Sequence, residues 1–267
     1  MLIKLLKYEF RAAFRELITL YIALLGIASL LRPFYLYNLS GSLTGITVFV
    51  YAALIVAVMV MSCITIIQRF SNTMLGPEGY LMHTLPVSTT VHIFSKLITA
   101  MVIVVAGFLV GTISMLIIAA DSSFFLLLRS FWEEFIRFLY DLFGQNGLIV
   151  GLELILLSLS QSACGILMVY TAACIGHLFY RGRAVIAVFS YVVMTAVLGE
   201  VTAFVNALLR TAIATAQTAF LPGLGTATYS GDELLPQLLT SLLLCVGLFY
   251  AVRYILENRL NLEYTRR

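Results

Sequence analysis

The chain has 267 residues, of which 61% are hydrophobic and only 11% charged, and its formal net charge is +3. A soluble domain of this size carries about a quarter charged residues, so the composition excludes an ordinary soluble protein and predicts an all-α integral membrane protein. The small net charge gives no indication of a nucleic-acid partner, and the four cysteines lie in apolar runs without metal-ligand spacing, so we expect no metal site.

The first predicted element is an amphipathic helix over residues 1–16. At about 100° per residue, its basic side chains form one stripe opposite an apolar face. The stripe consists of Lys4, Lys7, Arg11 and Arg15. One interpretation is an interfacial helix whose stripe contacts anionic lipid headgroups on the cytosolic side. The other is a positively charged flank that orients the first span and need not be helical.

Six apolar runs are long enough to cross a bilayer, which takes about 20 helical residues. They are residues 17–36, 46–67, 97–120, 148–175, 184–208 and 236–256. We expect them to form a single transmembrane domain. With both termini in the cytosol, only four of the sixteen Lys and Arg residues lie outside, namely Arg32, Arg129, Arg137 and Arg210. This asymmetry predicts that both termini are cytosolic, because basic residues in short loops stay on the cytosolic side.

Two connections are predicted to be external. In residues 121–144, charged side chains recur every four residues among bulky apolar ones that include Trp132. This pattern predicts an interfacial amphipathic helix between the third and fourth spans. Residues 209–235 are partly apolar and rich in turn residues, which predicts a broken or re-entrant segment.

Two acidic residues, Glu153 and Glu200, fall within predicted spans, where a carboxylate needs a protein partner or water. Counting about 1.5 Å per residue from the outer ends places both in the outer half of the bilayer. Each could contact a cation or cationic peptide near an external gate, or make a structural hydrogen bond to a neighbouring side chain. The sequence leaves both interpretations open.

Enzyme motifs are absent from the sequence. It has no GxxxxGK[ST] phosphate loop, so any ATP hydrolysis belongs to a separate subunit. Glu133, Glu134 and Arg137 resemble the EExxxR motif of CAAX-type membrane proteases, but the spacing is one residue short, and a four-residue ladder of helix-surface charges explains them more simply. Those proteases also place histidines in later spans, whereas the only later histidine is His177. We therefore expect no enzyme and no cofactor in this chain.

The longest polar interruption between apolar runs is residues 68–96, which the charge distribution places in the cytosol. It contains EGYLM at 78–82 and TLPVS at 84–88, followed by SKL at 95–97. These runs resemble a pattern found in bacterial permeases, and the order of parts along the chain is similar to the membrane subunit of ABC-2 type ATP-binding-cassette exporters.

The resemblance implies the permease subunit of an ATP-driven exporter in a bacterial cell membrane. It would pair with a second copy or a sister permease, and its 68–96 segment would couple to a separate nucleotide-binding ATPase. The implied coupling residues are Glu78, Gly79, Tyr80, Leu81, Met82 and Pro86. The apolar ones would fill a groove of the ATPase; alternatively, they pack on the chain's own helices. The implied pathway between protomers follows the second and fifth spans, and Asn206 is one of its polar side chains. The candidate pathway residues are therefore Glu153, Glu200 and Asn206.

Two other classes of function are compatible with the sequence. A secondary transporter would need a coupling-ion site and commonly has repeated halves with broken helices, neither of which is visible. A membrane protein that senses a toxic peptide, or confers immunity to it without transport, would share every sequence feature described above.

Overall fold

The structure is a computed structural model that describes residues 2–36, 41–75, 89–119, 129–130, 132–134, 136–137, 147–179, 182–220 and 231–258. Apart from Leu178, Phe179 and Gly182, all of these residues are helical, and the described part of the chain contains no strand. The predicted all-α class is confirmed.

Six long helices account for most of the described chain. They are α1 (Leu2–Leu36), α2 (Gly41–Phe70), α3 (Thr89–Ala119), α4 (Gly147–His177), α5 (Arg183–Phe220) and α6 (Gly231–Asn258). A π-helical turn, Ser71–Leu75, follows α2 directly. Each helix contains an apolar stretch long enough to cross a membrane, which confirms the prediction of six spans. These stretches are Tyr8–Pro33, Gly45–Leu75, Thr89–Ile118, Gly151–His177, Arg183–Ala212 and Leu234–Glu257.

Helix α1 shows no boundary between the predicted interfacial helix at 1–16 and the predicted span at 17–36. It continues through residue 16 because no Gly or Pro interrupts the sequence before Gly26, and Pro33 lies in the last turns of the helix. Helix α5 likewise continues past the predicted end at residue 208 as far as Phe220. The added segment is rich in Ala and lacks both Gly and Pro, so it favours a continuous helix over the first part of the segment predicted to be broken or re-entrant.

The chain divides into two compact units, Met1–Phe131 and Trp132–Arg267. In the first unit, α1 packs against both α2 and α3. The α1 face that packs is a stripe of buried residues spaced three or four apart, as an amphipathic helix requires. It comprises Ala13, Leu17, Tyr21, Leu24, Ala28 and Leu31.

In the second unit, α4 packs against both α5 and α6. Its turn into α5 depends on two glycines. A Cβ atom at Gly176 would lie 2.7 Å from the Cβ of Ala187 and 2.7 Å from the carbonyl oxygen of Arg183, so only glycine allows this approach. Gly182 has a φ of 74°, which is the left-handed region.

Candidate functional site

Four charged side chains from three helices meet in the first unit, and we call them the ionic cluster: Glu9, Glu16, Arg69 and Lys96. Lys96 Nζ of α3 donates to Glu9 Oε1 of α1 at 2.7 Å. Arg69, near the end of α2, donates through Nη2 to Glu16 Oε1 at 3.3 Å and through Nη1 to the backbone oxygen of Glu9 at 3.3 Å. Glu9 therefore joins a base from α2 to a base from α3.

Burial differs strongly within the ionic cluster. The side chain of Lys96 is 3% exposed and that of Glu9 is 11% exposed, whereas Glu16 is 54% exposed. A buried ammonium group is tolerated only with close partners, because desolvation costs several kcal/mol per ion. The Lys96–Glu9 pair is thus the tightly coupled part of the cluster, and the Arg69–Glu16 pair is its solvent-exposed edge.

The π-helical turn begins two residues after Arg69, and the backbone carbonyl group of Arg69 also takes part in the ionic cluster. The carbonyl oxygen of Arg69 accepts a hydrogen bond from Thr73 Oγ1 and a longer one, 3.5 Å, from Lys96 Nζ. Met74 and Leu75 at the end of the turn are buried. Irregular helical turns of this kind occur frequently at functional sites.

The predicted coupling residues Glu78, Gly79, Tyr80, Leu81, Met82 and Pro86 lie outside the described residues. Both flanks of that stretch are described: the π-helical turn ends at Leu75 and α3 begins at Thr89. The ionic cluster draws one base from each flank, Arg69 before the stretch and Lys96 after it. The structure thus links the two flanks of the predicted coupling segment through one glutamate of α1.

None of the described hydrogen bonds and ion pairs joins the three predicted pathway residues, Glu153, Glu200 and Asn206, to one another. Thr240 Oγ1 of α6 donates to Asn206 Oδ1 at 2.7 Å, a contact that holds α5 against α6. Glu200 is exposed on α5. Glu153 is partly buried on α4, and its Oε2 atom has no hydrogen-bond partner among the described residues. Asn206 therefore has a structural contact, whereas each acid presents at least one oxygen that could accept a ligand or water.

The predicted membrane-interface residues are described in part. Arg11, Arg15 and Trp132 are exposed. Lys4 and Lys7 belong to α1, but their side chains lie outside the described ones. The external helix predicted over 121–144 is described only at 129–130, 132–134 and 136–137, which are helical.

The sequence analysis did not identify the ionic cluster, although the sequence contains a signal for it. Glu9 lies four residues before Ala13, in phase with the buried stripe of α1, and Lys96 lies in phase with the buried Thr99 and Ile103 of α3. A charged residue on a packing stripe requires a partner of opposite sign on a neighbouring helix. This phase relation predicts that a partner exists, but the sequence alone does not indicate which residue it is.

Six apolar helices define the chain as a multi-pass membrane protein. Comparison with protein-family models, with curated proteins and with solved structures finds no match. Among the described residues, no group of three His, Cys, Asp or Glu side chains is arranged to hold a metal ion.

Proposed function

We propose that the chain is the permease subunit of an ATP-driven exporter, acting as a dimer and coupled to a separate ATPase through residues 68–96. The observation that carries the proposal is the link between the two ends of this segment and α1, through Lys96, Arg69 and Glu9. An ordinary loop between two spans needs no such link, whereas a segment pushed by a partner protein must pass its movement to several helices together.

One further feature supports this function: the runs at 78–82 and 84–88 resemble those of known permeases. Because the sequence has no phosphate loop, the ATP hydrolysis would take place on a partner subunit. In the proposed cycle, closure of the nucleotide-bound ATPase moves the 68–96 segment, and α1–α3 follow as a packed group. The permease thereby changes between inward-facing and outward-facing states.

The dimer is supported by α5. Between Arg183 and Ala212, none of its described residues is buried, yet this stretch carries the exposed Glu200. A charged side chain at the centre of a helix in lipid costs about 2.5–3.5 kcal/mol on insertion scales. A second copy of the chain, or a water-filled path between two copies, would remove this cost.

The first experiment is to purify the tagged chain from its native membrane in mild detergent and to identify stoichiometric partners by mass spectrometry. We expect a protein with a GxxxxGK[ST] motif. Recovery of the chain alone, under conditions in which a known ABC complex stays intact, would contradict the proposal.

The second experiment tests the coupling segment itself. Tyr80→Ala and Glu78→Lys should abolish transport while leaving the yield and monodispersity of the protein unchanged. The matched control is Phe179→Ala, which truncates an exposed aromatic residue on the other predicted cytosolic turn. Normal export by the two variants, with the ATPase still bound, would show that the coupling residues are wrongly assigned.

A secondary transporter is the second candidate, because Glu153 Oε2 lacks a partner among the described residues and Glu200 is exposed. Such acids are the usual proton-relay or cation sites of secondary transporters. Flux in reconstituted vesicles separates the two functions. Transport that continues without ATP and stops when the proton gradient is collapsed would favour this candidate. Binding of a peptide without any flux would instead indicate a sensor or immunity protein.

A further inference from the structure

We propose that Glu9 is a positioning residue that holds the two flanks of the 76–88 stretch at a fixed separation. The stretch is a coupling element only if the proposed function is correct, but the positioning role of Glu9 can be tested without it. One acidic residue, Glu9, is shared between two bases. Glu9 Oε1 lies 2.7 Å from Lys96 Nζ, and Glu9 Oε2 lies 3.9 Å from Arg69 Nη1, so the two oxygens of one carboxylate face two bases.

The packing of the first unit makes α1 the connecting element. Helix α1 contacts α2 and α3 extensively, while α2 and α3 contact each other much less. At the level of the ionic cluster, the separation between the end of α2 and the start of α3 therefore depends mainly on what each helix contacts on α1, since the direct contact of Lys96 Nζ with the Arg69 backbone oxygen is long, at 3.5 Å. For the charged side chains, that common contact is Glu9.

The apolar packing next to the cluster maintains the fold independently of Glu9. Ala13 and Leu17 of α1, Phe70 of α2 and Ile93 of α3 are all fully buried. These contacts do not depend on charge, so the three helices should stay associated when Glu9 is neutral. The flanks of the stretch, in contrast, would lose the carboxylate that both bases face, and Lys96 would lose a close counter-charge in a buried position. They would keep only the two longer contacts to backbone oxygens, from Arg69 to Glu9 at 3.3 Å and from Lys96 to Arg69 at 3.5 Å.

Glu16 provides the matched control. It lies on the same helix and accepts a hydrogen bond from the same Arg69 at 3.3 Å, but its side chain is 54% exposed and it has no contact with Lys96 among the described hydrogen bonds and ion pairs. Glu16→Gln therefore removes an acid from the cluster and leaves the link between the two flanks intact.

The test measures the distance between the flanks by double electron–electron resonance on the full chain in lipid nanodiscs. The four native cysteines are replaced by serine, and spin labels are attached at Gln68→Cys and Phe94→Cys, two exposed positions on the two flanks. With Glu9 present, we expect a single narrow distance maximum. Glu9→Gln should abolish that maximum and give a broad distribution, whereas Glu16→Gln should leave it unchanged.

A double variant separates positioning from general stability. Glu9→Gln combined with Lys96→Met removes both charges, leaves no buried ion, and should fold even if Glu9→Gln alone does not. This neutral variant should show the broad distribution. A narrow distribution in it, or broadening of equal size in Glu16→Gln, would overturn the inference.

A second readout relates Glu9 to the proposed function. The ATPase that co-purifies with the chain is assayed for ATP turnover with each variant. We expect Glu9→Gln to lower transport per ATP hydrolysed without changing the KM for ATP, and Glu16→Gln to leave it unchanged. If no ATPase co-purifies, the proposed function fails, while the distance measurements still decide the role of Glu9.

Discussion

At the scale of single residues, the ionic cluster predicts very unequal costs for removing its members. Lys96→Met leaves Glu9, 11% exposed, without its closest base, and loss of one partner of a buried pair costs about 3–5 kcal/mol. Glu16→Gln removes an exposed pair worth about 0–1 kcal/mol. Thermal unfolding of the purified chain in detergent should therefore show a large drop in Tm for Lys96→Met and almost none for Glu16→Gln. Equal shifts would mean that the pair is hydrated in solution.

Gly176 provides a second prediction at this scale. A methyl group there meets the Cβ of Ala187 and a backbone oxygen, each at 2.7 Å, and neither can move away by rotating a side chain. Gly176→Ala should therefore separate α4 from α5 and lower the Tm markedly. Gly165, on the same helix, has no atom within 4 Å of the added methyl group. Gly165→Ala is the control, and it should leave stability unchanged or raise it by up to about 1 kcal/mol, because Ala favours helix.

At the scale of helices, native cysteines can test the packing of α4 against α6. Cys164 Sγ lies 2.7 Å from Cys245 Sγ, and four residues earlier in each helix Ser160 Oγ lies 2.7 Å from Ser241 Oγ. Since both pairs advance in the same direction, α4 and α6 run parallel, as expected if α5 crosses back between them. Copper phenanthroline should link the two cysteines within one chain.

The readout of this crosslink is a tryptic digest followed by non-reducing electrophoresis. Cleavage at Arg183 or Arg210 should leave the α4 and α6 fragments joined until a reductant is added. Cys164→Ser and Cys245→Ser should each abolish the link, whereas Cys174→Ser, which alters another cysteine of α4, should not. A link that persists in Cys245→Ser would show that α4 and α6 do not pack as described.

For the helices, the sequence predicted the position of the spans but not which residues of different helices are in contact. Hydropathy predicted all six spans, because burial in lipid depends on a local run of apolar residues. The extension of α5 to Phe220 was not predicted, because turn residues further along that segment outweighed its Ala-rich start. Lys96 was placed in the permease-like run at 95–97, yet its pairing with Glu9 depends on helix packing across 87 residues of sequence. Periodicity indicates which face of a helix is buried, but not which helix covers it.

At the scale of the whole molecule, the exposed face of α5 must be reconciled with a lipid environment. Glu200 lies near the middle of the span Arg183–Ala212 and is exposed, as is Phe204 one turn later. If lipid covers this face, Glu200→Leu removes an expensive charge and should stabilise the monomer. If a second copy covers it, or if it borders a water-filled path, the same change removes a functional group from the interior of the assembly.

We expect that a second copy or a water-filled path, and not lipid, covers the face that carries Glu200. Glu200→Leu should abolish transport or shift the protein from dimer to monomer, measured by light scattering of the detergent-solubilised complex after gel filtration. Phe204→Leu, an apolar replacement on the same face, should preserve both properties. A fully active Glu200→Leu dimer with a higher Tm would place this face against lipid, and the transport pathway would then have to be sought on other helices. The effect of removing the Glu200 charge thus shows whether this face of α5 lies on the outside or in the interior of the assembly.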